Sequence, residues 1–327
     1  MKQVLTVEDM SVTFELHQSE VHAVREMNFT LTEGETLAVV GESGSGKSQA
    51  FLAIMGLLAK NGRADGRAMM GDIDLIGMDP KRLDTHRGKD IAMIFQDPMT
   101  SLNPTLKVRT QLAEVLVKHR GFDQQKATIA AIEMLERVGI PEPVKRANAY
   151  PHELSGGMRQ RVMIAMALLC QPKILIADEP TTALDVTVQA QMLDLFKTLT
   201  EDFGTSLVLI THDLGVVAGV ADRMMVMYGG RAVEKGTVDD LFYDPRHPYT
   251  LGLLHSTPHI AKRAERLDPI QGLPPSLEHL PSGCSFHPRC AFRFDKCFAE
   301  RPPLEDIGAG RSKACWYEGV LERREVA

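Results

Sequence analysis

A glycine-rich loop constrains the fold of this chain more than any other stretch. Gly41-Glu-Ser-Gly-Ser-Gly-Lys-Ser48 fits the pattern G-x-x-x-x-G-K-[ST]; the apolar run Leu37–Val40 before it predicts a buried strand, and residues 49–58 after it have helical apolar spacing. In this context the pattern cradles phosphate, because the glycines let backbone N–H groups wrap an anion at the start of the helix. Lys47 is predicted to reach the β- and γ-phosphates, and the Ser48 hydroxyl to bind Mg²⁺.

The composition argues against several other classes of protein. A net charge of -6 and a pI near 6.0 offer no bulk basic field to nucleic acid. The longest apolar run, Val162–Cys170, has about half of the roughly 18 residues that cross a bilayer, and it predicts a buried helix. Met1-Lys-Gln-Val4 leads into strand-like sequence without the apolar stretch of a signal peptide. We therefore expect a cytoplasmic protein that reaches any membrane through a partner.

Hydrophobic patterning indicates an α/β protein. The short alternating runs Val4–Val7, Ser11–Phe14 and Val24–Leu31 predict a small, mostly antiparallel sheet beside the nucleotide strand. Arg223–Tyr228 and Arg231–Glu234 flank two glycines and predict a hairpin.

The same patterning predicts the domain organisation. Val108–His119 and Lys126–Val138 have helical spacing and belong to a helical subdomain, predicted over residues 97–167 and inserted into the α/β core. Proline and glycine become frequent toward the C-terminus. We predict a nucleotide-binding domain over residues 1–256 and a loop-rich extension over residues 257–327.

A second apolar run, Ile174–Ala177, leads into two carboxylates, Asp178 and Glu179. A phosphate-bound Mg²⁺ takes oxygen ligands and few protein carboxylates, which suits Asp178 at the end of a strand. Glu179 lies where it could act as the general base for a water that attacks the γ-phosphate. A pair of solvated loop acids is the simpler interpretation, and the upstream glycine loop favours the functional one.

A serine and two glycines, in Leu154-Ser-Gly-Gly-Met158, open a long apolar helix and form a second anion-binding helix start. One nucleotide needs one phosphate cradle. The second cradle therefore suggests a nucleotide held by another subunit, although a lone capped helix start is an ordinary structural feature.

In combination and order, these motifs resemble those of the nucleotide-binding subunits of ATP-binding-cassette (ABC) transporters, over roughly residues 4–255. The resemblance implies an ATPase whose Ser155-Gly-Gly157 signature clamps the opposite subunit's ATP. It also implies that His212 holds the γ-phosphate and that Asp185 lies in the D-loop. Met158 departs from the glutamine most common in the signature, at a position that does not bind phosphate.

The resemblance assigns roles residue by residue. The catalytic residues would be Lys47, Gln96, Glu179 and His212, and the Mg²⁺ ligands Ser48, Gln96 and Asp178. The nucleotide-binding residues would be Phe14, Gly41, Glu42, Ser43, Gly44, Ser45, Gly46, Lys47, Ser48, Gln49, Gln96, Ser155, Gly156, Gly157, Asp178 and Asp185. Phe14 has two interpretations, an aromatic that stacks on adenine or a core strand residue.

Two further segments, Ile94–Pro104 and Pro245–Leu254, are similar to the peptide and nickel importer subfamily, and within it to the D-type ATPase subunits of oligopeptide permeases. This resemblance implies a paralogous ATPase as heterodimer partner, two transmembrane permease subunits, an extracytoplasmic peptide-binding protein and no nucleic acid. The chain would lie peripherally on the cytoplasmic face of the bacterial inner membrane. Dipeptide, murein-peptide or nickel import would use nearly the same motor. A soluble ABC ATPase and a non-hydrolysing regulatory cassette are the weaker alternatives.

Four cysteines, Cys284, Cys290, Cys297 and Cys315, stand 6, 7 and 18 positions apart in the extension. Four thiolates can hold zinc or an iron–sulfur cluster, and the close C-x-x-C pairs usual in zinc ribbons are absent here. The resembled family carries a 4Fe–4S cluster on this cysteine pattern. Zinc and unligated thiols stay open as alternatives, while Cys170 is predicted to be a buried core thiol.

Overall fold

The structure is a computed structural model that describes residues 2–17, 19–96, 101–181, 186–257 and 270–321. The chain divides into two compact units. The first consists of Met1–Val4, Thr32–Glu35 and Met78–Leu209, and the second of Leu5–Leu31, Thr36–Gly77 and Ile210–Ala327.

The strands, numbered in chain order, are β1 (Gln3–Glu15), β2 (Glu20–Thr32), β3 (Thr36–Val40), β4 (Gly62–Met70), β5 (Ile73–Asp74), β6 (Ile91–Ile94), β7 (Ile174–Asp178), β8 (Ser206–Thr211), β9 (Arg223–Tyr228), β10 (Arg231–Thr237), β11 (Glu305–Gly308) and β12 (Arg311–Lys313). The described helices are α1 (Lys47–Ile54), α2 (Pro80–His86), α3 (Val108–Arg120), α4 (Gln124–Arg137), α5 (Pro143–Ala147), α6 (Gly156–Leu168), α7 (Val186–Phe203), α8 (Leu214–Val217), α9 (Val238–Tyr243), α10 (Pro248–His255) and α11 (Asp295–Ala299). Short 3₁₀ turns span Pro151–Glu153 and His287–Arg289.

The first unit combines the parallel pair β6 and β7 with a helical region. Within it the strands lie in the order β8-β7-β6, and β7 is buried along its whole length. Helices α3 and α4 pack against each other and also contact α6. The Asp123 carboxylate begins α4 by accepting the N–H groups of Gln125 and Lys126 at 3.0 and 2.9 Å. The two predicted helices are thus confirmed, and their ends differ from the predicted ones by no more than two residues.

The second unit contains the predicted antiparallel sheet, in the order β2-β1-β4-β5. The two runs predicted as separate short strands form one strand, β1, with a bulge between Glu8 and Ser11. Asp9 takes a left-handed backbone conformation (φ 46°) at this bulge, and its N–H donates to Asn28 Oδ1 at 2.9 Å. The prediction of two strands was wrong because a bulge shifts the inside–outside alternation by one residue.

The second unit also contains a mixed set of strands in the order β11-β12-β10-β9-β3, in which only the β3–β9 pairing is parallel. The predicted hairpin is confirmed as β9 and β10. The extension was predicted to be loop-rich, but it contributes β11 and β12, and β12 pairs Lys313 with Glu234 of β10. A free edge of β10 would expose unpaired N–H and C=O groups, which β12 satisfies. The domain boundary near residue 256 stays a prediction.

In the part of the chain that the structure describes, no helix is both long and apolar enough to cross a bilayer.

Candidate nucleotide-binding site

The glycine loop joins a buried strand to a helix start. All five residues of β3 are buried, and α1 begins at Lys47. The N-cap of α1 is Gly46, which has no side chain to cap the helix, so the first turn presents the positive end that attracts anions. The strand–loop–helix order that the sequence predicts is confirmed, and the loop has the local form of a phosphate cradle.

Gly46 and Lys47 show why these residue types are required. Gly46 has a left-handed backbone (φ 95°), and a Cβ there would lie 2.2 Å from the Ala23 carbonyl oxygen. Lys47 is only 5% exposed, and its Nζ donates to the carbonyl oxygens of Gly41 and Glu42 at 2.6 and 3.0 Å. The loop therefore carries a buried ammonium group held by its own backbone.

Glu42, the second loop residue, is held by side chains from the C-terminal part of the chain. Its N–H donates to Tyr249 Oη at 2.9 Å, and its carboxylate accepts two hydrogen bonds from Arg289, at 2.6 and 3.0 Å. Burial lowers the pKa of Arg289, but the hydrogen bonds to Glu42 and Tyr228 outweigh it and raise the pKa above its ordinary value. Neither Tyr249 nor Arg289 was predicted from the sequence to contact the loop. Tyr249 lies in the segment 245–254, whose sequence indicated only the subfamily.

Phe14 is half-buried on β1, opposite Gly62 of β4. A Cβ on Gly62 would meet the Phe14 ring at 2.7 Å, so the ring packs directly on the backbone of the neighbouring strand. This packing is what a core strand residue would show. Stacking of the Phe14 ring on adenine stays a prediction.

The first unit brings Gln96 and Glu179 together. Asp178, the last residue of β7, is 6% exposed, and Glu179 follows it. Gln96, two residues after β6, donates its side-chain N–H to Glu179 Oε2 at 2.9 Å. These side chains meet because the carboxyl ends of parallel strands lie at the same edge of a sheet.

The backbone of Glu179 lies in the left-handed region, at φ 45°. This conformation costs a non-glycine residue roughly 1–2 kcal/mol, so the surroundings must hold it. One support is Gln160 of α6, which is 1% exposed and donates to the carbonyl oxygen of Pro180, the residue after Glu179. Gln160 was not predicted to support the site, although a glutamine in a long apolar helix indicates a buried polar partner.

The signature residues form the start of α6. Ser155 is the N-cap, and its Oγ accepts the N–H of Met158 at 3.3 Å. Ser155 and Gly156 are exposed and Gly157 is half-buried, so this helix start can be reached from solution. α6 therefore presents an accessible positive end.

His212 is exposed immediately after β8, in the same unit as the glycine loop. The next residue, Asp213, caps α8 by accepting the N–H of Gly215 at 2.8 Å. Asp185, the predicted D-loop residue, lies outside the described residues.

The four cysteines of the extension are close enough for their charges to interact. Burial, together with the neighbouring Cys284 and Cys297, raises the pKa of Cys290 to about 11. Burial, together with Cys290 and Cys284, likewise raises the pKa of Cys315 to about 12. Over the ranges that the structure describes, no three Cys, His, Asp or Glu side chains are placed to hold one metal ion.

Comparison with known families matches both parts of the chain. The ABC transporter family matches residues 24–182, and the C-terminal region of oligopeptide/dipeptide transporters matches residues 233–297. The oligopeptide transport ATP-binding protein OppD of Haemophilus influenzae is 52% identical over 316 residues, which cover 97% of this chain and 98% of that protein. OppD of Bacillus subtilis is 53% identical over 320 residues, covering 96% of this chain and 88% of its own length.

Among solved structures, the dimeric post-hydrolysis state of the ATP-binding cassette MJ0796, bound to ADP and Pi, is similar with a TM-score of 0.64 and 30% identity. The similarity covers 72% of this chain and 98% of that one.

Proposed function

The chain belongs to the ABC transporter family and is an ATPase of the OppD type, and we propose that it drives the import of oligopeptides. The observation that supports oligopeptides as the transported substrate is the family match over the extension. The similarity to oligopeptide transport proteins covers 97% of the chain, including the region typical of oligopeptide and dipeptide transporters.

The residues of the glycine loop and of the β7 end support ATP hydrolysis. Lys47 and the loop N–H groups would hold the phosphates, and Glu179 would take the proton of the attacking water. Ser48, Gln96 and Asp178 offer oxygen donors, the ligand type that Mg²⁺ prefers, and the ion would supply charge compensation on the phosphates. His212 would hold the γ-phosphate, and electrostatic stabilisation would dominate the rate enhancement.

We propose that ATP is bound between two cassettes, with the loop of one facing the Ser155–Gly157 helix start of the other. The exposure of Ser155 and Gly156 supports this arrangement, as does the dimeric form of the similar cassette MJ0796. The partner would be a paralogous ATPase. The two ATPases would act on two transmembrane permease subunits from the cytoplasmic face of the inner membrane. An extracytoplasmic peptide-binding protein would deliver the peptide to the permease subunits.

We also propose that Cys284, Cys290, Cys297 and Cys315 hold a 4Fe–4S cluster. The proximity of the thiols supports it, since neighbouring cysteines contribute to the raised pKa of both Cys290 and Cys315. Zinc needs four ligands around one ion, whereas the cysteines of a cluster bind different irons and stand further apart. Iron, zinc and acid-labile sulfide analysis of anaerobically purified protein tests this assignment. Zinc without iron or sulfide would exclude the cluster.

Uptake of labelled peptides by a strain that lacks the gene tests the transport function. Tripeptide uptake should be lost and should return with the wild-type gene, but not with Lys47→Ala. Parallel assays with a dipeptide, a murein peptide and a nickel chelate identify the cargo. A loss confined to one of those three would replace the oligopeptide assignment.

A further inference from the structure

Glu42 places a carboxylate inside the loop that is to bind a triphosphate. An unpaired negative charge at the rim of an anion site weakens anion binding, because the charge acts through a medium less polarisable than water. A phosphate-binding loop that contains Glu42 therefore needs a positively charged side chain beside this carboxylate. That side chain must not block the space in which the phosphates bind.

Arg289 meets this requirement. Its Nη1 and Nη2 donate to the two Glu42 carboxylate oxygens at 2.6 and 3.0 Å, the bidentate geometry that fixes both charge and orientation. The Arg289 side chain is 5% exposed and that of Glu42 is 28% exposed. Solvent screening is weak for a pair buried to this degree, so losing the cation would matter.

The guanidinium is itself fixed by the C-terminal part of the chain. Nε donates to the carbonyl oxygen of Gln271 at 3.1 Å, and Nη1 donates to Tyr228 Oη at 3.3 Å. Arg289 ends a 3₁₀ turn and directly precedes Cys290. The position of the arginine thus depends on the fold of the cysteine segment, residues 284–315, which runs from the first of the four cysteines to the last.

The backbone of Glu42 is held from the same side. Tyr249, fully buried at the start of α10, accepts the Glu42 N–H at 2.9 Å. Its ring lies 4.6 Å from that of Tyr228 and 5.4 Å from that of Phe286, two residues after Cys284. The hydroxyl therefore has a fixed place from which to hold the loop backbone.

We propose that Arg289 and Tyr249 are positioning residues of the phosphate-binding loop, and that Arg289 neutralises Glu42 so that the loop accepts ATP. The cysteine segment is then part of the nucleotide site. This inference rests on the proposed ATP-binding function. It adds that ATP affinity depends on the folded state of the extension.

Calorimetric titration of Mg–ATP into the full-length protein tests the proposal, with Arg289→Ala, Glu42→Gln and the double variant. Arg289→Ala should weaken ATP binding by about tenfold or more, because it leaves an unpaired carboxylate that repels the phosphates at a dielectric constant lower than that of water. The double variant should recover to within about threefold of wild type, since it leaves no charge to neutralise. Added salt should shrink the Arg289→Ala defect in part, because the Glu42 side chain is 28% exposed and dissolved ions reach the unpaired carboxylate from that side.

Three further variants separate positioning from general destabilisation. Arg311→Ala breaks an arginine–carboxylate pair with Asp244, 3.0 Å long and remote in sequence from the loop, and should leave ATP affinity unchanged. Tyr249→Phe keeps the ring and loses the bond to Glu42, so it should weaken binding without the salt dependence. Arg289→Gln replaces Arg289→Ala if the alanine variant does not fold.

The outcomes are distinct. Unchanged affinity in Arg289→Ala, or a double variant worse than Arg289→Ala, overturns the inference and leaves the ATPase function intact. A wild-type protein that does not bind Mg–ATP overturns both.

Discussion

The side-chain amide of Gln96 donates a 2.9 Å hydrogen bond to the carboxylate of Glu179. Since Glu179 also has a left-handed backbone, its carboxylate is oriented by both its own main chain and a neighbouring strand end. A general base must be oriented as well as ionised, because proton transfer needs a hydrogen-bonded approach. The assignment of Glu179 as the base can therefore be tested by changing either partner of this contact.

Replacing Glu179 with glutamine should leave ATP binding within about threefold of wild type and lower turnover by roughly 10²-fold or more. The amide keeps the size of the side chain and can still accept from Gln96, but it cannot take a proton. Phosphate release and Mg–ATP titration measure the two effects. Glu201→Gln, at an exposed position of α7, is the matched control. Turnover equal to wild type would remove Glu179 from the base role.

Gln96→Glu should lower turnover at neutral pH by about tenfold and move the pH–rate profile to higher pH. Two carboxylates at this distance repel, so a proton shared between them removes the free base. The rate of phosphate release between about pH 6 and 9 is the measurement. Gln124→Glu adds the same charge at an exposed helix start and should leave the profile in place. If Gln96→Glu lowers the rate of phosphate release equally at all pH values, without a shift of the profile, the proposed proton sharing between residue 96 and Glu179 is contradicted.

Gly46→Ala should abolish ATP binding, whereas Gly44→Ala should weaken it only modestly. Both glycines have positive φ, which costs alanine roughly 1–2 kcal/mol. Only the Gly46 methyl group would collide with a carbonyl oxygen, that of Ala23 at 2.2 Å, while the space around Gly44 holds nothing within 4 Å of a Cβ. Mg–ATP titration and thermal unfolding of the two variants decide this. If both variants lost ATP affinity equally, the positive φ alone, and not the collision with Ala23, would account for the loss.

His247 should make the protein less stable in acid. Burial, with the charge of Lys313, lowers the pKa of His247 to about 3, and its neutral Nδ1 accepts the N–H of Tyr249 at 3.0 Å. Because the folded pKa lies below the unfolded value of 6.5, the stabilisation is complete above pH 6.5 and is lost as the pH falls toward 3. The loss should be about 1.4 kcal/mol for each pH unit below 6.5.

Urea unfolding of wild type and His247→Asn between about pH 4.5 and 7.5 measures this effect, since asparagine can still cap α10 without titrating. The wild-type free energy of unfolding should fall more steeply toward acid than that of the variant. Glu234 titrates with the opposite sign: burial raises its pKa to about 7, so its contribution is lost as the pH rises. It is present in both proteins and largely cancels in the difference. Parallel curves would contradict the assignment to His247.

Elements with strong local signals were predicted well. The strand before the glycine loop, helices α3 and α4 and the β9–β10 hairpin follow from periodicity and turn residues over a few positions. The bulge in β1 and the pairing of β12 with β10 were missed. The bulge breaks a period of two, and the pairing joins segments about 80 residues apart, which leave no shared local pattern.

By itself, the sequence determined the chemistry: a phosphate loop with its lysine, two carboxylates at the end of a buried strand, and a second glycine-bearing helix start. These features lie within short stretches, where spacing along the chain fixes spacing in space. Only the tertiary structure decided which side chains orient them. Arg289 reaches Glu42 across 247 positions, and Gln96 reaches Glu179 across 83. Such partners meet because packing brings distant segments together, and neither partner carries a sign of the other in its own neighbourhood.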